Sequence, residues 1–122
     1  MTEVYFFDTY AFFEMLRGNV DYVKYQGSSV VTTKLNLFEL FYAFLREEDE
    51  HLAQLCLQNY NQFTVDLDIN TIEYAARFKY LHKKKKLSMT DCIGYILAQK
   101  MGIKFLTGDQ QFANMINVEF VK

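Results

Sequence analysis

Four acidic residues lie where a charged side chain is costly unless something compensates its charge. Asp8 interrupts the segment FFDTYAFF, and Glu39 interrupts LNLFELFYAF. Asp91 stands at the start of an apolar segment, and Asp109 ends FLTGD. An ionised carboxylate among apolar groups needs an ion pair, hydrogen bonds or a metal ion. Because clustered carboxylates repel one another unless a cation lies between them, these four predict a site for Mg²⁺ or Mn²⁺ if they meet.

A divalent cation held by carboxylates supports in-line attack of water on phosphorus, since the cation neutralises the developing charge. The histidines, His51 and His82, are remote from the acidic segments. Cys56 and Cys92 form no CxxC pair, so nothing in the sequence predicts a zinc site. We interpret each cysteine as a small buried residue and expect a reducing, cytoplasmic compartment.

Each of the four acids also has an ordinary structural interpretation. Asp8 could cap a helix, and Glu39 could point outward from a helix that has apolar residues on two sides. Asp91 could complete a capping box with the serine three positions before it. Asp109 could be a turn residue. Both interpretations stay open for each residue, and the prediction of a metal site depends on the four together.

The elements that would bring these acids together alternate between strand and helix. Apolar runs with β-branched or aromatic residues predict strands at 4–7, 30–31, 63–65, 103–106 and 118–121. Helices are predicted at 10–17, 20–26, 35–50, 50–61, from 70 or 71 into the lysine run at 83–86, and from 88 to 101. This alternation predicts an α/β fold, a three-layer α/β/α domain with a central, mainly parallel sheet of four to five strands. Ligands of such sheets bind outside the carboxyl ends of the strands, where Asp8 and Asp109 would lie if their strands are neighbours.

Capping residues mark several of the predicted helix starts. Thr9 is expected to cap the predicted helix at 10–17, and Thr32 or Thr33 is expected to cap the predicted helix at 35–50. The stronger signal is Ser88-Met89-Thr90-Asp91, which fits the Ser-x-x-acid pattern of a capping box.

Length and composition limit the class of protein. The 122 residues suffice for one domain, 1–122, and the 51% hydrophobic and 23% charged content excludes a disordered chain. A formal net charge of −2 means that nucleic acid would have to bind at a local basic patch. Acids at 3, 8 and 14 interrupt the first apolar segment, and no run of about 20 apolar residues follows. We therefore expect neither a signal peptide nor a membrane partner.

Three segments resemble the PIN-domain ribonucleases, especially the small VapC-like toxins of type II toxin–antitoxin pairs. The segments are VYFFDTYAFF, TTKLNLFELFYA and LSMTDCIGYILAQKMGIKFLTGDQQF, and the resemblance covers nearly the whole chain. It implies four catalytic, metal-binding acids that hold Mg²⁺ or Mn²⁺: Asp8, Glu39, Asp91 and Asp109. It also implies that Thr107 orients a carboxylate or a water molecule. Some relatives carry a further acid where this chain has Gln110 and Gln111, so the number of metals stays open.

The resemblance further implies an RNA substrate, a cognate antitoxin protein and a homodimer. The run Lys83-Lys84-Lys85-Lys86 could bind an RNA phosphate backbone, or it could be a solvated helix end that suits the helix dipole. The aromatic pairs Phe12-Phe13 and Phe41-Tyr42 are interpreted as core. A homodimer face or a groove for an amphipathic antitoxin segment is the alternative for these pairs.

The function expected from these observations is a metal-dependent endoribonuclease that acts as a toxin. Within the same family, an RNA-processing nuclease without an antitoxin is the main alternative, followed by a non-catalytic PIN-like interaction module. A signalling receiver domain would also fit the length and the alternation of elements. It is disfavoured because Asp8 stands alone after the first strand and FLTGD contains no lysine.

Overall fold

A computed structural model describes residues 2–122. The strands are β1 (Val4–Phe7), β2 (Ser29–Val31), β3 (Lys104–Thr107) and β4 (Val118–Phe120). The α-helices are α1 (Thr9–Leu16), α2 (Lys34–Arg46), α3 (Glu50–Tyr60), α4 (Ile69–Leu81) and α5 (Met89–Met101). Shorter 3₁₀ segments cover Val20–Gly27, Asn61–Phe63 and Gln110–Phe112.

The four strands form one parallel sheet in the order β2-β1-β3-β4, with helices on both faces. Successive side chains of a strand point to opposite faces, so Phe6 packs with α4 and α5 while Phe7 packs with α1 and α2. Both phenylalanines are fully buried. The predicted three-layer α/β/α architecture is confirmed, with β1 and β3 as neighbours at its centre.

Helix α5 lies close against the centre of the sheet. A Cβ atom added at Gly94 would lie only 2.7 Å from the ring of Phe6, so this glycine permits the close approach. The predicted capping box is present: the Ser88 hydroxyl accepts from the Asp91 backbone N–H, and the Asp91 side chain accepts from the Ser88 N–H. Gly102 ends the helix in the left-handed region, with φ of 68°. These contacts fix the first turn of α5, where Asp91 lies.

Helix α2 faces the sheet with residues other than the expected aromatic ones. Thr33 caps it as predicted, and Leu37, Leu40 and Phe44 are buried. The expectation that Phe41-Tyr42 belongs to the core is wrong for Tyr42, which is 55% exposed. The helix has apolar residues on two sides, and periodicity alone does not tell which side meets the sheet.

The predicted strand at 63–65 is wrong. A 3₁₀ turn ends at Phe63, and Thr64 makes a single parallel bridge with Thr32. Strand β2 is only three residues long and gives way at once to the cap of α2, so it offers no further backbone for pairing.

Two helix boundaries also differ from the predictions. Asp8, not Thr9, occupies the N-cap position of α1, and its side chain makes no capping hydrogen bond. Helix α4 is capped by Asp68 and ends at Leu81, so the lysine run at 83–86 lies in the turn that follows.

Cys56 and Cys92 are free and buried, as predicted. No helix within residues 2–122 is both long and apolar enough to cross a membrane.

Candidate active site

Asp8 leaves the carboxyl end of β1 and is 2% exposed. Its backbone N–H donates to the Leu106 carbonyl at 3.1 Å, which fixes it beside the end of β3. The Thr107 hydroxyl donates to Asp8 Oδ2 at 2.7 Å. The other oxygen, Oδ1, is buried and has no hydrogen-bond partner. A buried carboxylate oxygen without a partner is costly, and it is the kind of group that a hard cation would satisfy.

The electrostatics of Asp8 follow from this burial. Loss of hydration and, to a lesser extent, the nearby charges of Asp91 and Glu39 raise the pKa of the Asp8 carboxyl from 3.8 to about 8. The hydroxyl of Thr107 and the backbone N–H of Thr9 act in the opposite direction but do not offset the burial. The carboxyl therefore holds a proton at neutral pH unless a cation replaces it.

Asp91 caps α5 with one of its two carboxylate oxygens. Its Oδ2 accepts from the Ser88 N–H at 2.9 Å in the capping box. Burial raises the pKa of Asp91, the hydrogen bond from the Ser88 backbone lowers it, and the charges of Glu39 and Asp109 raise it. Capping and membership of an acidic site are thus compatible.

Glu39 is the sixth residue of α2, and its side chain points toward the junction of β1 and α1. The Thr9 hydroxyl donates to Glu39 Oε1 at 2.8 Å. The predicted alternative, an outward-pointing surface glutamate, does not describe this half-buried carboxylate.

Asp109 follows β3 and is tied to the same edge of the sheet. Its backbone N–H donates to Thr107 Oγ1 at 3.1 Å, and its Oδ1 accepts from the Gln111 N–H at 2.9 Å. The Thr107 hydroxyl therefore links two of the acids, since it donates to Asp8 and accepts from Asp109. The predicted orienting role of Thr107 stays a prediction that these two hydrogen bonds permit.

A cavity of about 360 Å³ lies at this edge and joins three of the acids, Asp8, Asp91 and Asp109. The rest of its lining comes from α1 and α2: Thr9, Tyr10, Phe13, Glu14, Ala43 and Arg46. Glu39 is not part of the lining and reaches the site through Thr9. Sequence reasoning missed Arg46 and Glu14. Arg46 stands seven residues after Glu39, two turns along the same face of α2, and this spacing could have identified it.

A profile of the PIN domain matches residues 5–117. The chain belongs to the PIN-domain family. No curated protein matches the sequence.

Solved structures share the fold of this PIN domain at low sequence identity. VapC20 of Mycobacterium tuberculosis, described as a sarcin-ricin loop cleaving toxin, has a TM-score of 0.73 and 18% identity over 94% of this chain and 98% of its own. VapBC2 of Rickettsia felis, bound to a DNA fragment from its promoter, has a TM-score of 0.69 and 14% identity over 97% of both chains. A toxin–antitoxin complex of Klebsiella pneumoniae has a TM-score of 0.69 and 16% identity over 93% of this chain and 94% of its own.

The residues of this PIN domain fit a hard divalent cation by their chemistry. All four acids offer oxygen ligands, and one buried oxygen of Asp8 has no other partner. Across residues 2–122, no three His, Cys, Asp or Glu groups already stand at metal-ligand distance from one point. Three of the acids, Asp8, Asp91 and Asp109, therefore line one cavity without meeting at a single point.

The lysine run lies beside this edge of the PIN domain. Lys85 Nζ donates to the Gln111 carbonyl at 3.1 Å, and the Lys86 N–H donates to Gln111 Oε1 at 3.4 Å. Gln111 in turn donates to Asp109. The turn that carries the lysines is thus connected to the acidic site through one glutamine.

Proposed function

We propose that this PIN domain is a divalent-metal-dependent endoribonuclease and the toxin of a toxin–antitoxin pair. One observation carries the metal-dependent part: the buried Asp8 carboxylate has an unpartnered oxygen and shares a cavity with Asp91 and Asp109. Membership of the PIN family and the likeness to VapC structures support the wider assignment.

In this proposal Asp8, Glu39, Asp91 and Asp109 hold Mg²⁺ or Mn²⁺. When bound, the cation would lower the pKa of water and neutralise charge on the phosphate that is attacked. Thr107 orients the Asp8 carboxylate through its hydroxyl. Two further carboxylates keep their orientation through the structural bonds described above, Asp91 in its cap and Asp109 in its turn.

The surroundings of the acids suit a phosphodiester backbone. Arg46 lines the cavity and can pair with a phosphate, which the acids alone would repel. The lysines at 83–86 extend positive charge from the Gln111 side of the same edge. RNA bound across the acids would thus meet cations on both sides, although the net charge of the protein is −2.

The nuclease assignment is tested with purified protein and total RNA in Mn²⁺, in Mg²⁺ and with EDTA. Asp8→Asn and Asp91→Asn should each lower metal-dependent cleavage at least about 100-fold, because each removes a ligand charge but keeps its hydrogen-bonding shape. Asp21→Asn, at an exposed position, is the matched control and should cleave like the unaltered protein. Cleavage that persists in EDTA or in both site variants contradicts the proposal.

An exposed apolar groove is the candidate antitoxin surface. Phe38 is 72% exposed, and with Tyr42 and Leu45 of α2 and Leu57 of α3 it borders a groove of about 470 Å³. Such an exposed apolar patch marks an interaction site, and an amphipathic helix would cover it. The groove contains none of the four acids, so antitoxin binding and catalysis use different side chains.

A second apolar surface fits the proposed homodimer. Tyr80 and Leu81 at the end of α4 and Met89 at the start of α5 are all exposed. Light scattering after gel filtration should give twice the mass of the chain, and Leu81→Glu should shift it toward the monomer. An unaltered protein that stays monomeric at high concentration would contradict the dimer.

A further inference from the structure

A chain of hydrogen bonds runs from the start of α2 to the Glu39 carboxylate. The Thr33 hydroxyl donates to Asn36 Oδ1 at 2.6 Å. The Asn36 amide group donates to Thr9 Oγ1 at 3.2 Å, and the Thr9 hydroxyl donates to Glu39 Oε1 at 2.8 Å. Four side chains from two helices and one cap are therefore linked in series.

The direction of this chain follows from the chemistry of its last member. The Glu39 oxygen accepts, so the Thr9 hydroxyl donates to it. Thr9 Oγ1 can then accept from Asn36, whose amide nitrogen is a donor, and the Asn36 carbonyl oxygen is left to accept from Thr33. Every proton in the series points toward the carboxylate.

Burial makes the series specific. Asn36 is fully buried and Thr33 almost so, although both are polar. Burying an asparagine side chain is unfavourable unless its amide is satisfied, and here both ends of the amide are bonded. Capping α2 requires only the bond from the Asn36 backbone N–H to Thr33, which any residue could make. The side-chain amide of Asn36 donates to Thr9 instead.

We infer that Thr9 and Asn36 are positioning residues that fix the carboxylate of Glu39 for cation binding. The inference rests on the proposed function, in which Glu39 is a metal ligand. Thr9 holds Oε1 and leaves the second oxygen of Glu39 for the cation. Because Thr9 directly follows Asp8, its hydroxyl also fixes the distance between Asp8 and Glu39. Asn36 acts on Glu39 only through Thr9.

The test measures Mn²⁺ binding by the loss of the free Mn²⁺ paramagnetic resonance signal. Thr9→Val removes the hydroxyl at nearly constant shape, and Asn36→Leu removes the amide. Each should weaken Mn²⁺ binding about 10- to 100-fold, the usual effect of losing a hydrogen-bond partner of a metal ligand. Thr9→Ser keeps a hydroxyl and should restore binding. The double variant should bind no more weakly than Thr9→Val alone, since the two residues act in series.

Thr32→Val is the matched control. Thr32 is also a buried threonine, but its hydroxyl donates to the Phe7 carbonyl and not to the series. The variant should lose stability without losing Mn²⁺ affinity. Circular dichroism at the binding temperature verifies that each variant is folded, so a change in affinity is not a loss of fold.

Two results overturn the inference in different ways. If Glu39→Gln weakens Mn²⁺ binding but Thr9→Val does not, Glu39 is a ligand and the positioning role is wrong. If the unaltered protein binds no Mn²⁺, and Glu39→Gln changes nothing, the proposed function fails and the positioning role fails with it. Additive losses in the double variant would show that Asn36 does not act through Thr9.

Discussion

Replacing Asp8 by asparagine should stabilise the metal-free protein at pH 8 and leave its stability almost unchanged near pH 4. Burial raises the pKa of Asp8 in the folded protein to about 8. Between about pH 4 and pH 8 the folded protein therefore holds a proton that the unfolded chain has released. The free energy of unfolding falls as the pH rises through this range. Asparagine has no proton to lose, so this part of the pH dependence should disappear.

The size of the effect follows from the shift. A rise from 3.8 to about 8 spans about four pKa units, worth about 5–6 kcal/mol in total at about 1.4 kcal/mol each. Asparagine is still a buried polar group at this site, and it keeps the acceptor for the Thr107 hydroxyl. We expect Asp8→Asn to raise the free energy of unfolding at pH 8 by about half of this total, about 3 kcal/mol. For a chain of this length that is a rise of about 10 °C in Tm.

Thermal unfolding in EDTA, followed by circular dichroism at pH 4.5, 6, 7 and 8, measures this difference. Asp21→Asn is the control, because Asp21 is exposed and its loss should shift Tm by no more than about 2 °C at any pH. Added Mn²⁺ should raise Tm of the unaltered protein and not of Asp8→Asn. The reasoning is refuted if Asp8→Asn melts at or below the unaltered protein at pH 8, or if the gain is equally large at pH 4.5.

Further predictions concern the packing, the RNA path and the partner surface. Gly108→Ala should cost about 1–3 kcal/mol, because its Cβ would lie 2.3 Å from the ring of Tyr10, whereas Gly27→Ala meets nothing within 4 Å and should melt normally. Lys84→Ala should weaken RNA binding and reduce the slope of log K against log[salt] by about 0.7, and an unchanged slope would remove the lysine run from the RNA path. Phe38→Glu should abolish co-purification with the co-expressed protein of the adjacent reading frame while RNA cleavage persists. Retained co-purification would place the antitoxin elsewhere.

The sheet could be predicted from the sequence because its strands carry strong local signals. Strand β1 lies at Val4–Phe7, where its residue types predict it. The capping box at Ser88 likewise begins α5 where it is predicted. The strand predicted at 63–65 was wrong because, in the described part of the chain, only Thr32 pairs with this segment before Thr33 begins the cap of α2. The β-propensity of a segment does not indicate how long the strand beside it will be.

The site could be predicted only in part, for a similar reason. The four acids were identified by their unusual surroundings, and the structure brings Asp8, Asp91 and Asp109 to one cavity. Glu39 joins them through Thr9, a residue predicted to cap a helix. The sequence does not predict the hydrogen bond from the Thr9 hydroxyl to Glu39, because these residues stand 30 positions apart. Arg46 differs, because its spacing of seven residues from Glu39 on the predicted helix could have identified it.

The structural and the functional interpretations of these acids turn out to be compatible. Asp91 caps α5 with one oxygen, and Asp109 closes its turn with one oxygen, so each retains a second oxygen for a cation. Asp8 differs, because it occupies an N-cap position without capping and leaves an oxygen unpartnered in a buried place. An aspartate that does not cap its helix, keeps a buried oxygen without a partner and lowers the free energy of unfolding at neutral pH supports the proposed metal site. Asp8 is therefore the residue on which the proposed function depends most, and its asparagine variant separates stability from activity most cleanly.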